Sequence, residues 1–99
     1  MRVAMIGTGY VGLVSGACFS EFGADVFCVD KDLVKIDNLN GGRIPIFEPG
    51  LDDLISKNVK AGRLKFTTDV EAAVNDADAI FICVGTPTDS INGHADLSY

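Results

Sequence analysis

Residues 1–30 read MRVAMIGTGYVGLVSGACFSEFGADVFCVD, and their order decides the fold. Val3 to Ile6 is an apolar run of strand length, and Gly7-Thr8-Gly9-Tyr10-Val11-Gly12 follows it directly. Beyond the glycines, Val11, Val14, Cys18 and Phe22 recur at helical spacing over Tyr10 to Phe22, and Gly23 stands where a C-terminal cap belongs. Asp25 to Val29 reads as a second strand, and Asp30 stands just past its carboxyl end. A strand, a Gly-x-Gly-x-x-Gly turn opening a helix, a second strand and an acid about 20 residues on are the context that the dinucleotide-binding fingerprint requires.

Each glycine has its own physical reason. Gly7 lets the chain leave the strand sharply, in a conformation that a side chain resists by about 1–2 kcal/mol. Gly9 lets the backbone approach a pyrophosphate, and Gly12 lets the helix lie close against the strand. Asp30 is placed to accept hydrogen bonds from both adenosine ribose hydroxyls, and its charge repels a 2′-phosphate, which favours NAD over NADP. Lys31 and Lys35 act in the other direction, since a lysine can pair with that phosphate. For Lys35 the residues alone leave open a phosphate partner or solvated helix surface.

The rest of the chain extends the same pattern. Asp32 is a candidate N-cap for a helix through about Leu39, and Asn40-Gly41-Gly42 ends it. Pro45 and Pro49 exclude regular helix between Arg43 and Pro49, while Ile44, Ile46 and Phe47 require burial. Glu48-Pro49-Gly50 turns into a helix from Leu51 to Lys60 with Leu51, Leu54, Ile55 and Val59 on one face. Gly62 closes it, Leu64 to Phe66 forms a short third strand, and Thr68 or Asp69 caps a helix through Val74. Ala79 to Val84 is the fourth strand, apolar on both faces as in a sheet covered by helices. Parallel pairing with right-handed crossovers then gives the order 3-2-1-4, the front half of a Rossmann-type doubly wound α/β sheet, truncated after the fourth strand.

Gly85-Thr86-Pro87-Thr88 leaves that strand at the same end of the sheet as the glycine turn, where its backbone and hydroxyls face the nicotinamide half of a dinucleotide. A plain strand-ending turn is the alternative. Residues 89–94 form a polar loop, and Asp96 reads as the N-cap of a helix starting at Leu97. Stopping at Tyr99, on the first turn of that helix, suggests that residues 1–99 are a partial N-terminal dinucleotide-binding domain whose remainder lies outside this chain.

Composition narrows the functional classes. Of 99 residues, 47% are hydrophobic and 22% charged, as in a folded globular protein. Fourteen acids against eight bases give a net charge of −6 with no basic run, which argues against nucleic acid as a partner. An anionic cofactor remains compatible, because helix N-terminal amides bind phosphate locally. Cys18, Cys28 and Cys83 lie in apolar segments without CxxC spacing, which suits buried, reduced thiols in a cytoplasmic protein rather than metal ligands. No apolar run approaches the length of a membrane span or of a signal-peptide core. His94, alone in its loop, reads as solvated. Glu48 either caps the helix after it or serves the site. Asp52 and Asp53 match a helix N-terminal dipole.

Five segments together resemble the N-terminal part of the nucleotide-sugar dehydrogenases, the UDP-glucose/GDP-mannose dehydrogenase family: GTGYVGL, the VD ending the second strand, GGRIPIFEPGLDDLI, FICVGTPT and ADLSY. They cover nearly the whole chain, and IPIFEPGL and VGTPT are far more specific than the glycine turn. The resemblance implies two successive NAD-dependent oxidations of a nucleotide sugar, UDP-glucose to UDP-glucuronate, and the IPIFEPGL wording favours UDP-glucose over GDP-mannose or N-acetylmannosamine nucleotides. It implies that Val11, Asp30, Lys35 and Thr86 contact NAD. With the fingerprint this gives a cofactor-binding set of Gly7, Gly9, Tyr10, Val11, Gly12, Asp30, Lys35, Val84, Gly85 and Thr86. The family's cysteine nucleophile lies far downstream and maps onto none of the three cysteines here, so no catalytic residue is assigned within the chain.

Expected partners are therefore a small-molecule nucleotide sugar and NAD, with no metal, nucleic acid or membrane. The intact enzyme is expected to be a homo-oligomer. The isolated chain is expected to be inactive and to self-associate through the exposed apolar edge of the fourth strand. Two other readings compete. One is a non-catalytic NAD-sensing regulatory module, which usually passes from second to third strand through a single helix. The other is a β-hydroxyacid-type dehydrogenase, which lacks IPIFEPGL.

Overall fold

The computed structural model describes residues 1–83 of the chain. They form β1 (Arg2–Ile6), α1 (Tyr10–Glu21), β2 (Asp25–Val29), α2 (Leu33–Asn40), α3 (Leu51–Lys60), β3 (Leu64–Thr67), α4 (Val70–Asn75) and β4 (Ala79–Ile82). The four strands pair in parallel in the order β3-β2-β1-β4, as expected from the crossover rule. Two helices and the proline loop lie between β2 and β3, which departs from the single-helix crossover of the sensing modules.

The alternation of β1 divides the interior into two layers. Val3 and Met5 join Leu13, Ala17, Val26, Cys28, Ile36, Leu39, Leu51, Ile55, Leu64 and Phe66 in the larger core under α1, α2 and α3. Ala4 and Ile6 join Val29 and Ala73 on the α4 face. The register aligns Met5 with Cys28 on one side and Phe81 on the other, so the centre of the sheet is continuous.

Helix starts follow local chemistry. Asp32 Oδ1 accepts from the backbone N–H of Val34 and Lys35 to cap α2. Asp69, rather than Thr68, caps α4 by accepting from Ala72 N–H. Glu48 does not cap α3 with its side chain: the N-cap of α3 is Gly50, with no side-chain cap bond, and Asp52 and Asp53 supply the first-turn acids.

Three packing expectations change. The buried face of α1 is Gly12, Leu13, Gly16, Ala17 and Ser20, whereas Val11 and Cys18 are exposed and Phe22 is 89% exposed. One cause is separation at Gly16: a Cβ built there would sit 2.8 Å from Cys28 Sγ, so the close approach of α1 to β2 leaves no room for a side chain at that position. In the proline loop, Ile44 and Ile46 pack at the edge of the larger core, but Phe47 is fully exposed. On α3, Val59 is exposed and Asn58 takes the buried position. Asn58 is satisfied there: its amide N–H groups donate to Glu21 and to the Leu54 carbonyl, and its oxygen accepts from Arg63. That side chain ties the C-terminal turns of α1 and α3 to the start of β3.

Among the described residues, no helix is long and apolar enough to cross a membrane, and no group of three or more His, Cys, Asp or Glu side chains could hold a metal ion.

Candidate functional site

The carboxyl ends of β1 and β2 meet at one point. Gly7 has φ +113°, which confines the position to glycine, and its N–H donates to the Val29 carbonyl at 2.7 Å. The turn is thereby fastened to the end of β2 before the helix begins. Gly12 faces back onto it: a Cβ there would lie 2.0 Å from the Gly7 carbonyl oxygen. Gly9 is different. Its φ of −73° and ψ of −169° suit any residue, and among the described residues a Cβ would meet nothing within 4 Å. Neither its conformation nor its packing against the described residues asks for glycine at that position.

The start of α1 is equally open. Gly9 offers no side-chain cap, and the first turn holds no acid, whereas α2 and α4 are capped by aspartates and α3 carries two first-turn acids. The first-turn N–H groups of α1 have no intrahelical acceptor. They face the region that Gly9 leaves clear, a combination suited to a phosphate.

Asp30 joins this turn from β2 and is 6% exposed. Its Oδ2 accepts from the Thr8 hydroxyl at 2.6 Å and from the Thr8 N–H at 3.2 Å. Its Oδ1 accepts from the Asp32 N–H at 3.0 Å, and Lys35 Nζ lies 3.8 Å from Oδ2. Burial pushes this carboxyl pKa up, but the Thr8 hydroxyl, the two backbone N–H groups and the Lys35 charge outweigh it and hold the carboxyl below its ordinary value. Asp30 is therefore an ionised acceptor at neutral pH. A cavity of about 180 Å³ opens beside it, lined by Thr8, Lys35, Asn38, Leu39, Arg43, Ile44 and Pro45.

Tyr10 and Val11 lie exposed at the start of α1. The Tyr10 hydroxyl donates to Glu48 Oε2 at 3.2 Å, linking the glycine turn to the proline loop. The Glu48 carboxylate, as acceptor and as charge, raises the Tyr10 pKa. Gly7, Gly9, Tyr10, Val11, Gly12, Asp30 and Lys35 thus gather at one end of the sheet. Val84, Gly85 and Thr86 lie outside the described residues, as do Pro87, Thr88, His94 and Asp96. Sequence reasoning passed over Thr8, which is 2% exposed and the main partner of Asp30. Its signal was slight, a hydroxyl-bearing residue at a variable position of the motif.

The model of the UDP-glucose/GDP-mannose dehydrogenase family, NAD binding domain, matches residues 1–99. A UDP-glucose 6-dehydrogenase from Rhizobium meliloti is 62% identical over the whole chain, which covers 23% of that protein. The crystal structure of a ternary complex of GDP-mannose dehydrogenase from Pseudomonas aeruginosa superposes with a TM-score of 0.90 at 48% identity, over 98% of this chain and 22% of that one. A UDP-glucose dehydrogenase from Pyrobaculum islandicum gives 0.89 at 38% identity, over 98% and 22% respectively. The chain spans less than a quarter of the length of these relatives. With its uncapped glycine turn facing a buried aspartate, the chain belongs to the UDP-glucose/GDP-mannose dehydrogenase family and corresponds to its NAD-binding domain.

Proposed function

We propose that this chain carries the NAD site of an enzyme that oxidises UDP-glucose to UDP-glucuronate in two NAD-dependent steps. The observation that carries the site is Gly9, a glycine required neither by its backbone conformation nor by packing among the described residues and set at the mouth of an uncapped helix. A pyrophosphate lying against that backbone supplies the missing reason, since any Cβ would occupy its place. The N–H groups of Tyr10, Val11 and Gly12 then neutralise phosphate charge, and Asp30 receives the adenosine ribose with Lys35 beside it. Val84, Gly85 and Thr86 complete the set toward the nicotinamide. NAD, when bound, supplies the hydride acceptor; these residues bind and orient it.

Support for UDP-glucose comes from the 62% identity to the R. meliloti enzyme, against 48% to the P. aeruginosa GDP-mannose dehydrogenase. The residues that select the sugar and carry the covalent chemistry are assigned to sequence beyond residue 99, so the isolated chain oxidises nothing. The intact enzyme is a homo-oligomer acting in the cytoplasm, and the isolated chain associates through β4. The test is NADH formation followed at 340 nm with the intact protein, NAD and each nucleotide sugar in turn. Turnover with UDP-glucose supports the reading, and turnover confined to GDP-mannose reassigns the sugar. Absence of turnover with every nucleotide sugar would overturn it.

A further inference from the structure

The fingerprint assigns no task to the residue between its first two glycines, yet here that residue controls the ribose acceptor. An ionised carboxylate offers about four acceptor directions, two on each oxygen. The Thr8 hydroxyl and N–H occupy both on Oδ2, and the Asp32 N–H takes one on Oδ1. Among the described residues, one direction is left, on Oδ1. The expectation that Asp30 receives both ribose hydroxyls therefore meets a carboxylate already three-quarters engaged.

We infer that Thr8 is a positioning residue for the cofactor: its hydroxyl fixes Asp30 Oδ2 against the glycine turn and so presents Oδ1 as the oxygen that accepts from the adenosine ribose. This rests on the reading of the turn as an NAD site. The geometry is stiff on both sides. Thr8 is 2% exposed, its β-branched side chain has few alternative rotamers, and its backbone is pinned between the Gly7 contact to Val29 and the start of α1. The Asp30 N–H donates to the Thr67 carbonyl at 3.2 Å, which fixes the acid's own backbone on β3. With both backbones held, the hydroxyl at 2.6 Å sets the carboxylate's rotation. Lys35, at 3.8 Å and half exposed, balances the charge and does not supply that orientation.

The test compares Thr8→Ser with Thr8→Ala in the intact protein, two variants that differ by one hydroxyl. Both are titrated with NAD and with an NAD analogue whose adenosine lacks both ribose hydroxyls. Thr8→Ser is expected to bind NAD within about twofold of wild type, and Thr8→Ala about tenfold more weakly, the size of one hydrogen bond to a charged group. The analogue is expected to bind the two variants alike, because the hydroxyl acts only through the ribose contact. Thr8→Val, which fills the site, replaces Thr8→Ala if the cavity unfolds the protein, and the same loss is expected. Equal NAD affinity in Thr8→Ser and the hydroxyl-free variant would overturn the inference. So would an equal loss of NAD and analogue, which marks a purely structural role. Wild-type protein that binds no NAD would instead refute the cofactor site itself.

Discussion

Gly9→Ala and Gly12→Ala place the same methyl group three residues apart and separate ligand approach from packing. At Gly9 the new Cβ meets nothing within 4 Å among the described residues and the backbone is extended, so the described fold accommodates it. Alanine is a poorer N-cap than glycine, by an amount up to about 1 kcal/mol, and this is offset by about 0.4–1 kcal/mol from a less flexible unfolded chain. Net stability should stay within about 1 kcal/mol of wild type. At Gly12 the Cβ would sit 2.0 Å from the Gly7 carbonyl oxygen, more than 1 Å inside contact distance. The obstacle is backbone held by the 2.7 Å bond from Gly7 to Val29, so the helix must lift from the turn. Overpacking of this kind costs about 1–3 kcal/mol, only partly offset by alanine's helix preference of up to about 1 kcal/mol. Thermal unfolding and NAD titration of both variants read the two effects independently. Gly9→Ala should melt like wild type and lose NAD binding by more than tenfold, whereas Gly12→Ala should lose both. A Gly9→Ala protein with wild-type NAD affinity would refute the turn as the pyrophosphate site, and an unshifted melt for Gly12→Ala would refute the packing argument.

Four further outcomes follow from the same geometry. Because the folded Asp30 pKa lies below its unfolded value of about 3.9, its contribution is full above that pH and is lost as pH falls toward the lower folded value; Asp30→Asn should flatten the pH dependence of urea unfolding in that acid window and leave the slope near neutrality unchanged. Asn58→Ala removes the acceptor of the Arg63 guanidinium and one donor to Glu21, leaving Arg63 on the Ser20 carbonyl and Glu21 on Lys57, and should cost about 1–3 kcal/mol by urea denaturation, with unchanged stability counting against the tie. Iodoacetamide should label exposed Cys18 in the native protein, while Cys28, whose thiol burial pushes up to about 12, should react only on unfolding; mass spectrometry of a brief pulse decides. Among the described residues β4 pairs only with β1 and exposes Ile80 and Ile82, so light scattering should show the isolated chain associating and Ile82→Lys reducing it, and a clean wild-type monomer at high concentration would refute the edge as a template.

What the sequence disclosed follows the range of each interaction. The strands, the 3-2-1-4 order and the Asp32 cap of α2 depend on runs of a few residues and on crossover handedness and are present among the described residues, where Asp69 is also the one of its two candidates that caps α4. The face of α1 was misread because periodicity weighs large apolar side chains, whereas this face is mostly small; Leu13 aside, Gly12, Gly16, Ala17 and Ser20 give little hydrophobic signal. Asn58 was invisible for a second reason. A polar residue on an apolar face looks like an interruption until Glu21 and Arg63 are brought to it from distant positions. Glu48 left two readings open; the N-cap of α3 is Gly50 with no side-chain cap bond, and the Glu48 carboxylate instead accepts from Tyr10, 38 residues away in sequence.

On the proposed reading, Asp30 is a ligand residue and a folding residue in one group. Read from sequence, its carboxylate belongs to the ribose; in the structure it accepts both Thr8 donors and the Asp32 N–H before any ligand arrives. Those bonds join the turn after β1 to the loop after β2, so removing the acid loosens the pyrophosphate cradle along with the ribose contact. Loss of NAD binding in an Asp30 variant would therefore not identify which half of the cofactor had been released. Gly9 and Thr8 separate the halves: the added methyl at Gly9 obstructs the phosphates without touching Asp30, and the hydroxyl of Thr8 can be deleted while the carboxylate stays. If the site is built as argued, the Gly9 lesion weakens NAD and the diol-free analogue together, whereas the Thr8 lesion weakens NAD alone. One turn then carries two separable recognitions, and the residue between its first two glycines couples them.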